Sequence, residues 1–193
     1  MPTAITTTMF VFVNHRGPDV KKNFASHLYR RLIPHRLRVF LDYEEIRQGE
    51  NLTPQIKEAI ESASVHVANF SPGYAQSKWC LNELLDILES KAPIIPVFYG
   101  VEPADLRCTH AQSQGVYAQA LCDLENKRTD DGQLRYSSTT IGMWKGALSR
   151  VAETSGLDLK AFNGLEYSSP LLSTVCNTYK MLRKHKTLKM RYY

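Results

Sequence analysis

Apolar positions along this chain alternate between compact β-prone runs and stretches with helical spacing. Met9-Phe-Val-Phe-Val13, Leu37-Arg-Val-Phe-Leu41, Val65-His-Val-Ala-Asn-Phe70 and Ile94-Ile-Pro-Val-Phe-Tyr99 read as four strands, near-continuous enough to be covered on both faces. Pro96 argues against a central place for the fourth, because proline offers no N–H to a ladder. A fifth, edge strand is predicted over 157–162. Helices are predicted over 20–32, capped by Asp19, and from the Thr53-Pro54 start to about Ser62, with proline in the first helical position. Others follow over 79–90, 116–125, 141–154 (anchored by Trp144, Leu148 and Val151) and 171–182. Strands alternating with helices at short spacing predict an α/β domain with a parallel sheet. Ligands in such folds sit at the carboxyl ends of the strands. The loops 14–19, 42–51 and 71–79 are therefore the candidate rim.

The helix at 79–90 starts from the third of these loops. Leu81, Leu84, Leu85 and Leu88 form its apolar stripe. Trp79 and Glu83, four residues apart, are predicted on the opposite face, pointing away from the core. An indole beside a carboxylate makes a pocket wall with one acid in it. The same spacing also describes a solvated acid beside a tryptophan packed on a loop; the helix's start at the rim favours a site.

The 193 residues suit one domain and need no metal or disulfide staple. No apolar run approaches the roughly 18 residues of a membrane span, and residues 1–8 lack the features of a secretory signal. The four cysteines are scattered without a Cys-x-x-Cys pair, which predicts reduced thiols in cytoplasm or nucleus. The net charge of +5 is concentrated late, in Lys180, Arg183, Lys184, Lys186, Lys189 and Arg191. Such a segment can meet nucleic acid or an acidic membrane surface, or be a solvated tail. The six histidines have no metal-ligand spacing, so no metal site is expected, and His66 reads as a satisfied buried imidazole. Phosphate-loop, Rossmann and nucleophile-elbow motifs are missing.

Ordered short motifs carry a resemblance. They are Val11-Phe-Val-Asn-His-Arg-Gly-Pro-Asp19, Phe24-Ala-Ser-His-Leu-Tyr29 and Phe40-Leu-Asp-Tyr-Glu-Glu-Ile-Arg-Gln-Gly-Glu50, then Phe70-Ser-Pro-Gly-Tyr-Ala75, Ser77-Lys-Trp-Cys-Leu-Asn-Glu-Leu84, Ile95-Pro-Val-Phe-Tyr99 and Trp144-Lys-Gly-Ala-Leu148. The chain resembles the TIR domain of plant immune receptors, and in particular standalone plant TIR proteins. The resemblance implies a TIR domain at 9–182, between an N-terminal extension at 1–8 and a basic tail at 183–193. It implies a flavodoxin-like fold, five parallel strands with helices on both faces.

It further implies an enzyme that cleaves NAD⁺ or NADP⁺ as substrate, without a separate cofactor. Nicotinamide is released, and ADP-ribose or its cyclic isomers serve as immune and cell-death signals. Glu83 is implied as the catalytic acid, with Arg16, Gly17, Asp19, Arg47, Gly49 and Trp79 around the substrate. Ser26, His27 and Gly156 are implied on self-association faces, which other TIR proteins can also engage. Asn14, His15 and Pro18 depart from the family's first loop. Two other readings stand beside the enzyme: a non-enzymatic adaptor acting through TIR–TIR association, and a nucleic-acid-dependent cyclic nucleotide synthetase using the basic tail.

Overall fold

The computed structural model describes residues 9–20, 37–41, 53–107, 115–159 and 168–189. Five strands, β1 (Phe10–His15), β2 (Arg38–Leu41), β3 (Val65–Phe70), β4 (Ile94–Phe98) and β5 (Leu157–Asp158), form one sheet in the order β2-β1-β3-β4-β5. Every pairing is parallel. This is the flavodoxin-like order, whose direction reverses between β1 and β3. The described helices are α1 (Gly17–Val20), α2 (Thr53–Ser62), α3 (Lys78–Glu89), α4 (Val116–Glu125), α5 (Ser138–Ala152) and α6 (Ser168–Lys189). Short 3₁₀ turns lie at Tyr74–Gln76 and Pro103–Leu106.

Side-chain alternation divides the core. Val11, Val13, Val65, Val67, Ile95 and Val97 point to the face covered by Leu171 and Val175 of α6. On the other face Ala68, Phe70 and Phe98 pack with Leu81 and Leu84 of α3 and with Leu121, Trp144 and Leu148. Phe12 joins Ala59, Ile60 and Ile87 there. Full burial of side chains this size contributes about 1.5–3 kcal/mol each. Trp144 Nε1–H donates to Asn82 Oδ1 at 2.9 Å and so ties α5 to α3.

Strand 3 and α4 have the predicted bounds. Pro96 sits inside β4 after all, paired in register with Ala68. The amide of Tyr99 donates to Phe70 O, so alternation turns the position of Pro96 away from β3. Its missing donor faces β5, whose pairing begins only at Val97. The first helix starts at Gly17, not after Asp19, with Pro18 in its first turn. Asp19 is inside that turn, and its carboxylate serves another purpose. Helix α5 begins at Ser138 because the Ser137 side chain accepts from the Thr140 amide at 3.1 Å. Helix α6 continues unbroken to Lys189. His66 is satisfied at one nitrogen only: Nε2 meets Ser90 Oγ at 2.8 Å and Nδ1 has no partner.

Candidate active site

The site lies where sheet order reverses, between the carboxyl ends of β1 and β3. On β1, the residues facing α2 and α3 are Phe10, Phe12 and finally Asn14. Phe12 stacks on Phe40 at 5.6 Å. Asn14 ends this aromatic row with a fully buried amide.

Helix α3 supplies the acid. Ser77 opens it by accepting from the Cys80 amide at 3.3 Å, and Lys91 ends the connection in the left-handed region, φ 61°. The expected outward face for Glu83 is corrected by the structure. Cys80, Glu83 and Ile87 form a second buried row beside Leu81 and Leu84, because α3 is covered both by α5 and by the β1–α2 side. Glu83 is only 6% exposed, whereas Trp79 is 49% exposed. The two therefore do not line one open wall. Trp79 faces solvent with the Lys78 ammonium 4.7 Å from its ring centre. The carboxylate of Glu83 turns inward, and Asn14 Nδ2–H donates to its Oε2 at 2.7 Å.

Three further residues hold this pair. The Tyr74 hydroxyl donates to Asn14 Oδ1 and lies 3.1 Å from the Cys80 carbonyl. Its ring is 4.7 Å from that of Phe70. The Cys80 thiol donates to His15 O. Asp19 then fastens the β3–α3 connection to the end of β1. It accepts from Arg16, from the Ser71 hydroxyl and, at 3.1 Å, from the Gly73 amide. Gly73 lets these side chains come close: a Cβ would lie 2.7 Å from both Arg16 Nη1 and Asp19 Oδ2, so one or both ends would have to shift. One N–H of the Arg16 guanidinium is thus committed to Asp19, leaving the rest of its fork for other acceptors.

The structure thus gathers Glu83, Arg16, Gly17 and Asp19 at one rim, with Trp79 a helical turn away. Arg47, Gly49, Ser26 and His27 lie outside the described residues. Gly156 lies far along the fold, in the turn before β5, where a Cβ would meet Phe98 Cε2 at 2.6 Å and Pro96 O at 2.7 Å. Asn14, Tyr74, Ser71 and Gly73 were not among the expected site residues. The period-two row of β1 does put Asn14 in line with two phenylalanines, and that signal was available. Nothing local marks Tyr74. Among the described residues no group of three or more His, Cys, Asp or Glu is arranged to hold a metal ion, and no helix is long and apolar enough to cross a membrane.

A TIR domain profile matches residues 9–190. This chain belongs to the TIR family. It is 38% identical over 167 residues to the probable 2′ cyclic ADP-D-ribose synthase BdTIR of Brachypodium distachyon, covering 86% of this chain and 71% of that protein. It is 35% identical over 158 residues to the disease resistance protein RPV1 of Vitis rotundifolia, covering 80% of this chain but 10% of that protein. The TIR domains in the structure of the activated Roq1 resistosome, which recognises the pathogen effector XopQ, superpose with a TM-score of 0.72 at 31% identity. That match covers 87% of this chain and 99% of the compared chain. The TIR chain keeps the five-stranded parallel sheet expected of it.

Proposed function

We propose that this TIR protein is an NAD⁺ nucleosidase that breaks the bond between nicotinamide and ribose, with Glu83 as its catalytic acid residue. The observation that carries the reading is the buried carboxylate of Glu83 at the sheet's reversal point, held there by the neutral amide of Asn14. The similarity to a protein named as a cyclic ADP-ribose synthase supports the same chemistry.

The reaction asks little of a nucleophile. Nicotinamide is already a cationic leaving group; as its C–N bond breaks, the bonding pair departs with the ring, which leaves neutral. Positive charge is left on the ribose as an oxocarbenium-like centre. A carboxylate about 4 Å away, at an effective dielectric near 20, attracts that charge by roughly 4 kcal/mol. Expressed only in the transition state, this amounts to about a thousandfold in rate. A buried donor that is itself uncharged fixes the carboxylate without cancelling its field. Water attacking the ribose carbon and losing a proton gives ADP-ribose. Attack by a hydroxyl of the same molecule gives a cyclic isomer.

Incubation with NAD⁺, with nicotinamide and the ADP-ribose products separated chromatographically, tests the reading. Glu83→Gln keeps the shape, keeps a possible acceptor for Asn14 and loses the charge. It is expected to lower turnover by about a thousandfold with an unchanged circular dichroism spectrum. Wild-type turnover by folded Glu83→Gln would refute the assignment.

A further inference from the structure

Asn14 closes an otherwise aromatic row, and packing alone gives no reason for an amide there. It is fully buried, and both ends of its side chain are engaged. Nδ2–H donates to Glu83 Oε2 at 2.7 Å, and Oδ1 accepts from Tyr74. The geometry points to Asn14 as the positioning residue for the Glu83 carboxylate, with Tyr74 supporting Asn14 from its carbonyl end. This inference rests on Glu83 being the acting acid.

The physical reason is directional. Glutamate has three rotatable side-chain bonds, and a carboxylate stabilises a developing charge well only if it is aimed beforehand. A hydrogen bond from a neutral donor aims it and leaves its charge intact. An amide can be inserted either way round, and only one way satisfies Glu83, which when ionised is purely an acceptor. Glu83 therefore sets the orientation, and Tyr74 supports it by donating to the carbonyl end. The tyrosine is itself fixed, buried beside Phe70. The chain of contacts therefore runs from the core, through the Tyr74 hydroxyl and the Asn14 amide, to one carboxylate oxygen.

The other ionisable groups on the elements meeting Glu83 are few among the described residues. From the β1 side come His15, whose Nδ1 lies 3.4 Å from Val13 O, and the Arg16–Asp19 pair. Cys80, on α3, donates its thiol to His15 O. Asp86, one turn further along α3, has its carboxyl raised above the usual range chiefly by burial, with Lys57 opposing and Glu89 and Glu61 adding to the rise. Replacing Asn14 by aspartate introduces a second carboxylate next to Glu83, with the Tyr74 hydroxyl able to donate to one of its oxygens but the former Nδ2–H donor to Glu83 replaced by an acceptor.

The test is NAD⁺ cleavage by the full chain over a range of pH for Asn14→Asp, Asn14→Ala and Tyr74→Phe, with circular dichroism on each. Two carboxylates in contact resist ionising together, so Asn14→Asp should move the acidic limb of the pH–rate profile up by about one unit or more. Asn14→Ala removes a donor to the ionised carboxylate, so it should raise that limb by less than Asn14→Asp does and lower kcat by about tenfold with little change in KM. Tyr74→Phe should lower kcat in the same direction, and the double variant Asn14→Ala/Tyr74→Phe should be no worse than Asn14→Ala alone. A merely structural role would move stability and leave the pH profile as it was. A folded Asn14→Asp protein with the wild-type profile, or Asn14→Ala with the wild-type kcat, overturns the inference. If Asn14→Asp does not fold, the alanine and phenylalanine variants decide. Full turnover by Glu83→Gln would instead remove the underlying reading; an inactive Glu83→Gln with unperturbed Asn14 variants removes this inference alone.

Discussion

Replacing Gly156 by alanine separates two explanations for the same glycine. The family resemblance places it on a self-association face; the structure gives it a task inside the chain. A Cβ at this position would stand 2.6 Å from Phe98 Cε2, 2.7 Å from Pro96 O and 3.0 Å from Pro96 Cβ. Carbon atoms in contact are comfortable at about 3.5–4.0 Å, so the new methyl penetrates the ring by roughly 1 Å. None of the three atoms is the end of a flexible side chain. Phe98 is buried, and Pro96 belongs to a strand paired with β3. Relief must come from shifting β4 or the turn before β5. Overpacking of this kind costs about 1–3 kcal/mol. For a chain this size that lowers Tm by roughly 3–10 °C. Gly146→Ala is the internal control: it lies on α5 with nothing within 4 Å of a new Cβ, and alanine should stabilise that helix by up to about 1 kcal/mol. Both variants are compared by thermal unfolding at a concentration where sedimentation shows monomer alone. Gly156→Ala should melt early and Gly146→Ala at or above wild type. If Gly156→Ala melts with wild type and only its self-association is lost, the packing explanation is wrong.

Two further outcomes are expected. Burial lowers the pKa of His66 from 6.5 to about 4; because the folded value is the depressed one, the unfolded chain takes up the proton first. Stability is then indifferent to this group above about pH 6.5 and falls as pH drops towards 4, by up to roughly 3 kcal/mol. Urea unfolding across that window should show a shallower pH slope for His66→Gln, and an identical slope would refute the assignment. Trp79→Ala should leave Tm within about 2 °C of wild type, since the side chain is half exposed. If the indole stacks against substrate, the KM for NAD⁺ rises in that variant; an unchanged KM would exclude such a contact.

The fold was largely legible because its determinants are local. Val65–Phe70 is a strand by residue type, and Val116–Glu125 a helix by spacing. Boundaries drifted where a single side chain decides them: Ser137 starts α5 inside a polar stretch that reads as loop, and Gly17-Pro18 starts α1 ahead of the expected cap. The site was legible only in part. Glu83 could be picked out, but counting leucines alone assigned it to the wrong side of α3. Cys80 and Ile87 share its row, and a helix covered on two sides has no single apolar stripe. Asn14, Tyr74 and Glu83 meet across separations of 60 and 69 residues. Their partnership exists only after β1, β3 and α3 have been brought together. The same is true of Gly73, whose missing side chain makes sense only once Arg16 and Asp19 stand over it.

Pro96 has a consequence beyond β4 itself. The strand beside it, β5, is two residues long and forms the sheet border. With so little unpaired backbone on offer, that border is a poor template for an incoming strand. Sheet extension from molecule to molecule, the route to fibrous aggregates, is therefore discouraged along this side.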